Sequence, residues 1–135
     1  MARKKRQDWT VRMVSFGLYE PFDKTTRALP KVTEFTTRIP VRPDVEFGYI
    51  IEVLRARGCF LRYQIDHPDF LDSRGNPAGP FTDEVRIADS TWRFFLGDTF
   101  WEPWEDKVGP WRLRCWINDE CVADKTFVMG EGASG

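Results

Sequence analysis

The sequence predicts an all-β fold, an antiparallel immunoglobulin-like β-sandwich of seven or eight strands with Greek-key connections. Apolar and polar residues alternate with a period of two in almost every run where a period can be read, and this is the pattern of half-buried strands. The nine prolines fall between these runs or at their edges, as expected because proline cannot donate to a strand ladder. The connections differ in length, which favours a sandwich over an up-and-down barrel.

The clearest pair of strands covers residues 45–54 and 59–66. The inward positions of the two strands are apolar or aromatic, apart from one cysteine: Val45, Phe47, Tyr49, Ile51, Val53, Cys59, Leu61, Tyr63 and Ile65. Only residues 55–58 separate the strands. We therefore expect them to form an antiparallel hairpin.

A second hairpin is predicted near the end of the chain, where Asn118-Asp119 forms a two-residue turn between residues 111–117 and 121–129. Trp111 is in phase with Leu113 and Cys115, so we expect it in the core. Trp116 points to the opposite face. There we expect it to cover a sheet edge or to meet Trp9 or Trp92.

Weaker patterns predict further strands within residues 9–19, 31–38 and 85–96, the last of them broken near residues 89–90. Residues 8–129 are predicted to form a single β-sandwich domain. Residues 1–7 form a basic N-terminus and residues 130–135 a glycine-rich tail, and we expect both to be flexible.

The composition indicates a cytoplasmic globular protein. The net charge is −1 and 15% of the residues are aromatic. No apolar run approaches the roughly 18 residues of a membrane span, and the basic start lacks the apolar stretch of a secretory signal. Cys59, Cys115 and Cys121 lack the paired spacings of a zinc site or a disulfide framework. We expect reduced thiols, with a bridge between Cys115 and Cys121 as the alternative.

Four of the six tryptophans lie within residues 101–116. The first part of this run, residues 101–107, has no strand or helix periodicity, and we call it the contact loop. Its candidate ligand-binding residues are Trp101, Glu102, Trp104, Glu105, Asp106 and Lys107. An indole stacks on a sugar ring or a proline, and neighbouring carboxylates accept hydrogen bonds. Alternatively, Trp101 and Trp104 form a plug over the open end of the sandwich.

Catalysis has weaker support. Glycoside hydrolysis needs two carboxyl groups about 5 to 10 Å apart, and Glu102, Glu105 and Asp106 are available. Nothing in the loop indicates the burial that would raise the pKa of one of these carboxyl groups for acid catalysis. His67 is the only histidine, and we expect it to be a turn residue bonded to the backbone. We therefore predict no catalytic residue.

No cofactor or metal site is predicted. The run of residues 66–76 contains many oxygen donors, but Phe70, Leu71 and Arg74 interrupt the spacing of a calcium loop. Nucleic-acid binding is not favoured, because the aromatic residues are not interleaved with basic ones.

Five short motifs carry a resemblance to a known family. They are Phe16-Gly17-Leu18-Tyr19-Glu20, Phe47-Gly48-Tyr49, His67-Pro68, Gly109-Pro110-Trp111 and Phe127 in the last strand. In this order they resemble an uncharacterised bacterial family of small domains of unknown function, in which a final hairpin closes an immunoglobulin-like sandwich. The resemblance implies the fold. It implies no activity and no catalytic residue.

We therefore expect a non-catalytic binding or accessory module that contacts a protein or a carbohydrate through the contact loop, with the adjoining loop of residues 66–80 as a second part of the surface. The alternative is a small hydrolase that uses the loop carboxylates with His67. Homo-oligomerisation through a strand edge or Trp116 is compatible with the first hypothesis.

Overall fold

The structure is a computed structural model, and it describes residues 9–21, 28–43, 45–72, 74–99 and 105–130. Within these ranges there are nine strands and one short 3-10 turn. In chain order they are β1 (Thr10–Tyr19), β2 (Val32–Glu34), β3 (Arg38–Pro40), β4 (Glu46–Leu54), β5 (Phe60–Asp66), β6 (Phe81–Arg86), β7 (Thr91–Thr99), the 3-10 turn (Glu105–Lys107), β8 (Gly109–Ile117) and β9 (Glu120–Gly130).

The count is nine rather than the predicted seven or eight, because the predicted strand of residues 31–38 divides into β2 and β3. The Thr36 hydroxyl accepts a hydrogen bond from the backbone N–H of Arg38 at 3.0 Å. Such a local bond competes with the strand ladder, and β2 and β3 join different sheets. The predicted break near residues 89–90 is confirmed, since β6 and β7 also lie in different sheets.

The strands form two sheets. The four-stranded sheet has the order β2-β1-β4-β7, and the five-stranded sheet has the order β3-β9-β8-β5-β6. All neighbours are antiparallel except β3 and β9, which are parallel.

The predicted hairpin between β4 and β5 is wrong. β4 pairs with β1 and β7, whereas β5 pairs with β6 and β8. The link between them takes left-handed backbone conformations at Arg55 (φ 62°) and Gly58 (φ 91°) and carries the chain from one sheet to the other. Alternation identifies a strand and its inward face, but it does not identify the neighbouring strand.

The second predicted hairpin is confirmed. β8 pairs with β9, and Asn118 (φ 50°) and Asp119 (φ 66°) form the turn between them. Positive φ at both central residues is the geometry of a type I′ turn. Cys115 is buried, Cys121 is exposed, and both are free. The bridge between them, which is the alternative to reduced thiols, is therefore not formed.

The inward faces of the two sheets enclose one core, as the alternation predicts. Phe47, Tyr49, Leu113 and Trp111 have no exposed surface. The Tyr49 hydroxyl donates a hydrogen bond to the Leu113 carbonyl at 3.0 Å, which links the two sheets. The Phe47 ring meets Trp111 edge to face, with 5.7 Å between the centroids. Trp111 is therefore a core residue, as predicted.

On the outer face of the four-stranded sheet, three glycines lie side by side. Gly48 pairs with Gly17 on one side and with Gly97 on the other. At Gly48 φ is 151°, and a Cβ atom there would lie 2.1 Å from the Leu96 carbonyl oxygen. Only glycine fits this position. The rings of Tyr19 and Phe95 meet on the same face at 4.9 Å.

The predicted flexible N-terminus, residues 1–7, lies outside the described residues. Of the predicted C-terminal tail, Gly130 is the last residue of β9 and pairs with Pro40, and the rest lies outside the described residues. No helix in the described part of the chain is long and apolar enough to cross a membrane.

Candidate functional site

The contact loop reaches β8 at the end of the sandwich where β5 also ends. Its last three residues form the 3-10 turn, and the Lys107 carbonyl accepts a hydrogen bond from Trp111 Nε1 at 2.9 Å. Because the Trp111 ring is fully buried, this bond fixes the end of the loop to the core. Pro68 lies against Gly109, with its Cγ 3.0 Å from the position that a Cβ of Gly109 would occupy. The two loops that the sequence singles out are thus neighbours in space.

Lys107 holds these two loops together. Its side chain is 1% exposed, and its Nζ donates a hydrogen bond to Asp106 Oδ1 at 2.7 Å. The same nitrogen lies 4.5 Å from the centroid of the Phe70 ring, within the range of a cation–π interaction. Lys107, which is one of the predicted ligand-binding residues, is therefore buried and connects the two loops.

Of the other candidate residues of the contact loop, the structure describes Glu105 and Asp106. Glu105 is exposed, and the Asp106 side chain is 32% exposed. Both carboxylates therefore reach solvent. Trp101, Glu102 and Trp104 lie outside the described residues.

The loop of residues 66–80 contains a small hairpin of residues 70–78, which we call the support hairpin. Leu71 and Pro77 form a β-bridge, and Ala78 N–H donates to the Phe70 carbonyl at 2.9 Å. At the tip, Asp72 Oδ1 accepts hydrogen bonds from the backbone N–H groups of Arg74 and Asn76 at 2.8 and 3.0 Å. The Asp72 carboxylate thus closes a turn. This accounts for an acidic residue in a run whose oxygen donors suggest calcium binding.

Exposed apolar side chains flank the contact between Phe70 and Lys107. Phe70 is buried, and its neighbour Leu71 is 60% exposed. Lys107 is buried, and its neighbour Val108 is 48% exposed. In each segment one side chain anchors the loop and the next one faces solvent. Leu71 and Val108 are therefore exposed aliphatic side chains in the two segments that the contact between Phe70 and Lys107 joins.

Asp98 lies at the end of β7, and the structure shifts the pKa of its carboxyl group. Burial raises its pKa to about 6, and the nearby charge of Glu46 acts in the same direction. The N–H of Thr99, which donates to Asp98 Oδ1 at 2.8 Å, and the charge of His67 oppose this rise. Asp98 therefore changes its charge just below neutral pH.

His67 is bonded to the backbone, as predicted. Its Nδ1 lies 2.8 Å from the Pro68 carbonyl oxygen and its Nε2 lies 2.8 Å from the Gly79 carbonyl oxygen. Both nitrogens are therefore engaged, which weighs against a role in proton transfer. Burial raises the pKa of the Cys115 thiol to about 12, so this cysteine is a poor nucleophile. Among the described residues, no three His, Cys, Asp or Glu side chains are grouped to hold a metal ion.

Trp116 occupies a different surface. It lies on the outer face of β8, in the interior of the five-stranded sheet, so it covers no sheet edge. The guanidinium carbons of Arg62 and Arg114 lie 4.6 and 5.2 Å from its ring centroid. Trp92, which we expected as a neighbour, instead stacks on Phe94. Trp116 is thus separate from the contact loop.

The sequence profile of a domain of unknown function, DUF3859, matches residues 7–129. The chain belongs to the DUF3859 family. The resemblance read from the short motifs is thereby confirmed, and membership brings no activity, substrate or partner to the chain.

Solved structures resemble this DUF3859 domain in fold. An immunoglobulin-like protein from Pseudomonas aeruginosa superposes with a TM-score of 0.69 at 20% identity, covering 89% of this chain and 96% of that chain. This likeness shows the immunoglobulin-like fold and nothing further. The alkylpurine DNA glycosylase AlkC of Pseudomonas fluorescens, bound to DNA with an abasic site analog, gives a TM-score of 0.39 at 13% identity over 88% of this chain and 30% of that chain, which is too low to carry an argument. No curated protein matches the chain significantly.

Two residues of this site, Leu71 and Val108, were not predicted from the sequence. Both stand next to a residue that is buried in the structure, Phe70 or Lys107. An apolar pair such as Phe70-Leu71 in a loop rich in Asp, Gly and Pro was the available signal, because consecutive residues in an extended loop point to opposite sides. No comparable signal marks Val108, since burial of its neighbour Lys107 is unusual for a lysine.

Proposed function

We propose that this DUF3859 domain is a non-catalytic binding module that contacts a protein partner through the contact loop and the adjoining face of the support hairpin. The observation that carries the proposal is the exposure of Leu71 and Val108 beside a buried contact that fixes both segments. Apolar groups that remain exposed next to a rigid anchor are typical of interaction surfaces.

Rigidity supports this proposal. The Lys107–Phe70 contact, the Trp111–Lys107 hydrogen bond and the backbone bonds of the support hairpin hold the two segments in place before any partner binds. Preorganisation lowers the entropy cost of association. The carboxylates of Glu105 and Asp106 would add selectivity for a partner with basic residues near an apolar patch.

A protein is favoured over a carbohydrate as the partner. Leu71 and Val108, the exposed apolar side chains in the described part of this surface, are aliphatic, and aliphatic groups suit the apolar surface of a protein better than a sugar ring. Burial of these against a partner would contribute roughly 25 cal/mol for each Å² of apolar surface removed from water. Trp101 and Trp104 would serve as aromatic anchors, the role that tryptophan often has in protein interfaces.

The hydrolase alternative has less support. It would use His67 with a loop carboxylate, but both imidazole nitrogens lie at hydrogen-bond distance from backbone carbonyls. Asp106 in turn accepts a hydrogen bond from the buried Lys107.

Site-specific photo-crosslinking tests the proposal. A photoreactive phenylalanine analogue is introduced at Leu71 or at Glu105, in cells of the organism that encodes the protein, and adducts are identified by mass spectrometry. We expect the same protein adduct from both positions.

The matched control is the same analogue at Phe60, which is 50% exposed at the opposite end of β5, about 20 Å away. It should not give this adduct. Adducts that are absent at Leu71 and Glu105, or that are identical at all three positions, would overturn the proposed function.

A further inference from the structure

The base of the support hairpin is joined by a single imidazole. His67 lies on the incoming chain, directly after β5, and Gly79 lies on the outgoing chain, two residues before β6. The bond between His67 Nε2 and the Gly79 carbonyl, at 2.8 Å, therefore connects the two chains where they leave the sandwich. On the other side of the ring, Nδ1 meets the Pro68 carbonyl, also at 2.8 Å.

This arrangement favours one charge state of the ring. A backbone carbonyl oxygen can only accept a hydrogen bond, and a neutral imidazole has a single N–H group. Either neutral tautomer would direct a nitrogen lone pair at a carbonyl oxygen 2.8 Å away. Both contacts are hydrogen bonds only when both nitrogens carry a proton, so the geometry favours the imidazolium cation.

The aromatic surroundings of the ring suit a cation. His67 stacks on Phe70 with 4.2 Å between the centroids and 24° between the planes, and its centroid lies 4.7 Å from that of Phe81 and 5.5 Å from that of Trp111. The faces of aromatic rings attract positive charge. The ring therefore packs between Phe70 of the support hairpin and two residues of the sandwich, Phe81 in β6 and Trp111 in β8.

The charged groups around His67 act in both directions. From β7, the Asp98 carboxylate attracts the imidazolium, and the charge of His67 lowers the pKa of Asp98. From β4, Glu46 interacts with Asp98 and adds negative charge nearby. Lys107, on the 3-10 turn, opposes a second cation, but it is paired with Asp106. Asp66, the residue before His67, is paired with Arg114.

We propose that His67 is a protonation-dependent clamp of the support hairpin. In its cationic form it binds the carbonyls of Pro68 and Gly79 and holds the hairpin against Phe81 and Trp111. When the ring loses a proton, one of the two bonds is replaced by a repulsive contact and the base of the hairpin loosens. If the proposed function is correct, the hairpin face that carries Leu71 is then ordered for binding at low pH and loosened at high pH.

The direction of the pH dependence follows from the two carbonyl contacts. They favour the protonated ring, so the stabilisation of the hairpin is present while the ring is charged at low pH and is lost when the ring gives up a proton at higher pH. Asp98 acts on the clamp through its own charge. Its carboxylate assists the clamp only above the pKa of about 6, where it is ionised.

The clamp is tested on the wild-type protein without any partner. Because His67 is the only histidine, the imidazole nitrogen signals in an NMR spectrum belong to it without ambiguity. We expect both nitrogens to show imidazolium shifts at about pH 5.5 and a neutral ring at about pH 8.5, which brackets the usual titration of histidine.

Amide hydrogen exchange reports on the hairpin in the same samples. The N–H groups of Ala78 and Asp72, which are bonded to the Phe70 and Asn76 carbonyls, should lose protection by about tenfold or more between these pH values after correction for intrinsic exchange. Leu113, in the core of β8, serves as the internal reference and should lose none.

Two variants distinguish the effect of the His67 charge on the hairpin from the effect of its ring packing. His67→Phe keeps an aromatic ring against Phe70 but has no N–H, so Ala78 protection should be low at both pH values. His67→Gln keeps one donor and should remove the pH dependence.

Either of two results would overturn the clamp: a neutral His67 ring at about pH 5.5, or a wild-type Ala78 protection that does not change while the ring titrates. Neither measurement involves a partner, so failure of the clamp and failure of the cross-linking experiment are distinguishable.

Discussion

The ammonium nitrogen of Lys107 lies 4.5 Å from the centroid of the Phe70 ring, in a side chain that is only 1% exposed. This contact joins the contact loop to the support hairpin. The contact places a charged group at a buried position that an apolar residue would ordinarily occupy. The next residue in each segment, Leu71 or Val108, faces solvent.

Lys107→Ala should therefore destabilise the domain by about 2–4 kcal/mol, because it removes a buried stem and leaves a cavity beside Phe70. Lys107→Met keeps most of the stem and should cost less than about 1.5 kcal/mol. Urea denaturation measures both. Lys125→Ala is the matched control, since Lys125 lies over Phe16 at 3.8 Å on a more exposed surface, and it should cost less than about 1 kcal/mol. Equal effects at the two lysines would contradict the anchoring role of Lys107.

Trp111→Phe should cost about 2–3 kcal/mol. The substitution leaves part of a fully buried volume empty and removes the donor to the Lys107 carbonyl. Trp116→Phe makes the same chemical change on the outer face of the same strand and should cost about 1 kcal/mol or less. Unfolding of the two variants at the same urea concentration would contradict the anchoring role of Trp111.

Asp98→Asn should stabilise the protein at about pH 8 and have little effect at about pH 4. Burial raises the pKa of Asp98 from 3.8 to about 6, so the folded state binds this proton more tightly than the unfolded state. The ionised carboxylate therefore destabilises the fold above pH 6, and this cost disappears as the pH falls toward the unfolded value. The two-unit shift corresponds to at most about 3 kcal/mol. Thermal unfolding at both pH values measures the effect. A gain in stability that is larger at low pH would contradict a raised pKa of Asp98 in the folded protein.

Gly48→Ala should prevent stable folding. The added Cβ would meet the Leu96 carbonyl oxygen at 2.1 Å, and φ is 151°. Gly58→Ala is the control, because Gly58 also has a positive φ, 91°, but no atom lies within 4 Å of its added Cβ. It should cost only about 1 kcal/mol of backbone strain. Circular dichroism and denaturation compare the two, and a well-folded Gly48→Ala protein would contradict the close strand packing described here.

Much of this architecture could be predicted from single residues, but the neighbours of each strand could not. The alternation that places Phe47, Tyr49 and Leu113 inward is a local property of the chain, and burial confirms it. The two-residue turn at Asn118-Asp119 likewise fixes its hairpin locally. By contrast, β4 and β5 have the same alternation as a hairpin would, and only the packing of the two sheets decides that they separate.

The candidate site shows the same division. The sequence correctly predicts a core position for Trp111 and a backbone-bonded His67, because strand phase and turn chemistry are local. It does not predict the burial of Lys107, which depends on Phe70, 37 positions earlier in the chain. It also does not predict that both His67 nitrogens face carbonyl oxygens, since Gly79 lies across the hairpin.

The thermal stability of the Trp101→Ala/Trp104→Ala double variant distinguishes an exposed contact surface from a structural plug, because removal of the two indoles destabilises the fold only in the second case. If the two indoles belong to a contact surface, the melting temperature should stay within about 2 °C of the wild-type value, and the adducts at Leu71 and Glu105 should disappear. A drop of more than about 5 °C would show that the indoles are a structural plug and would contradict the proposed contact surface.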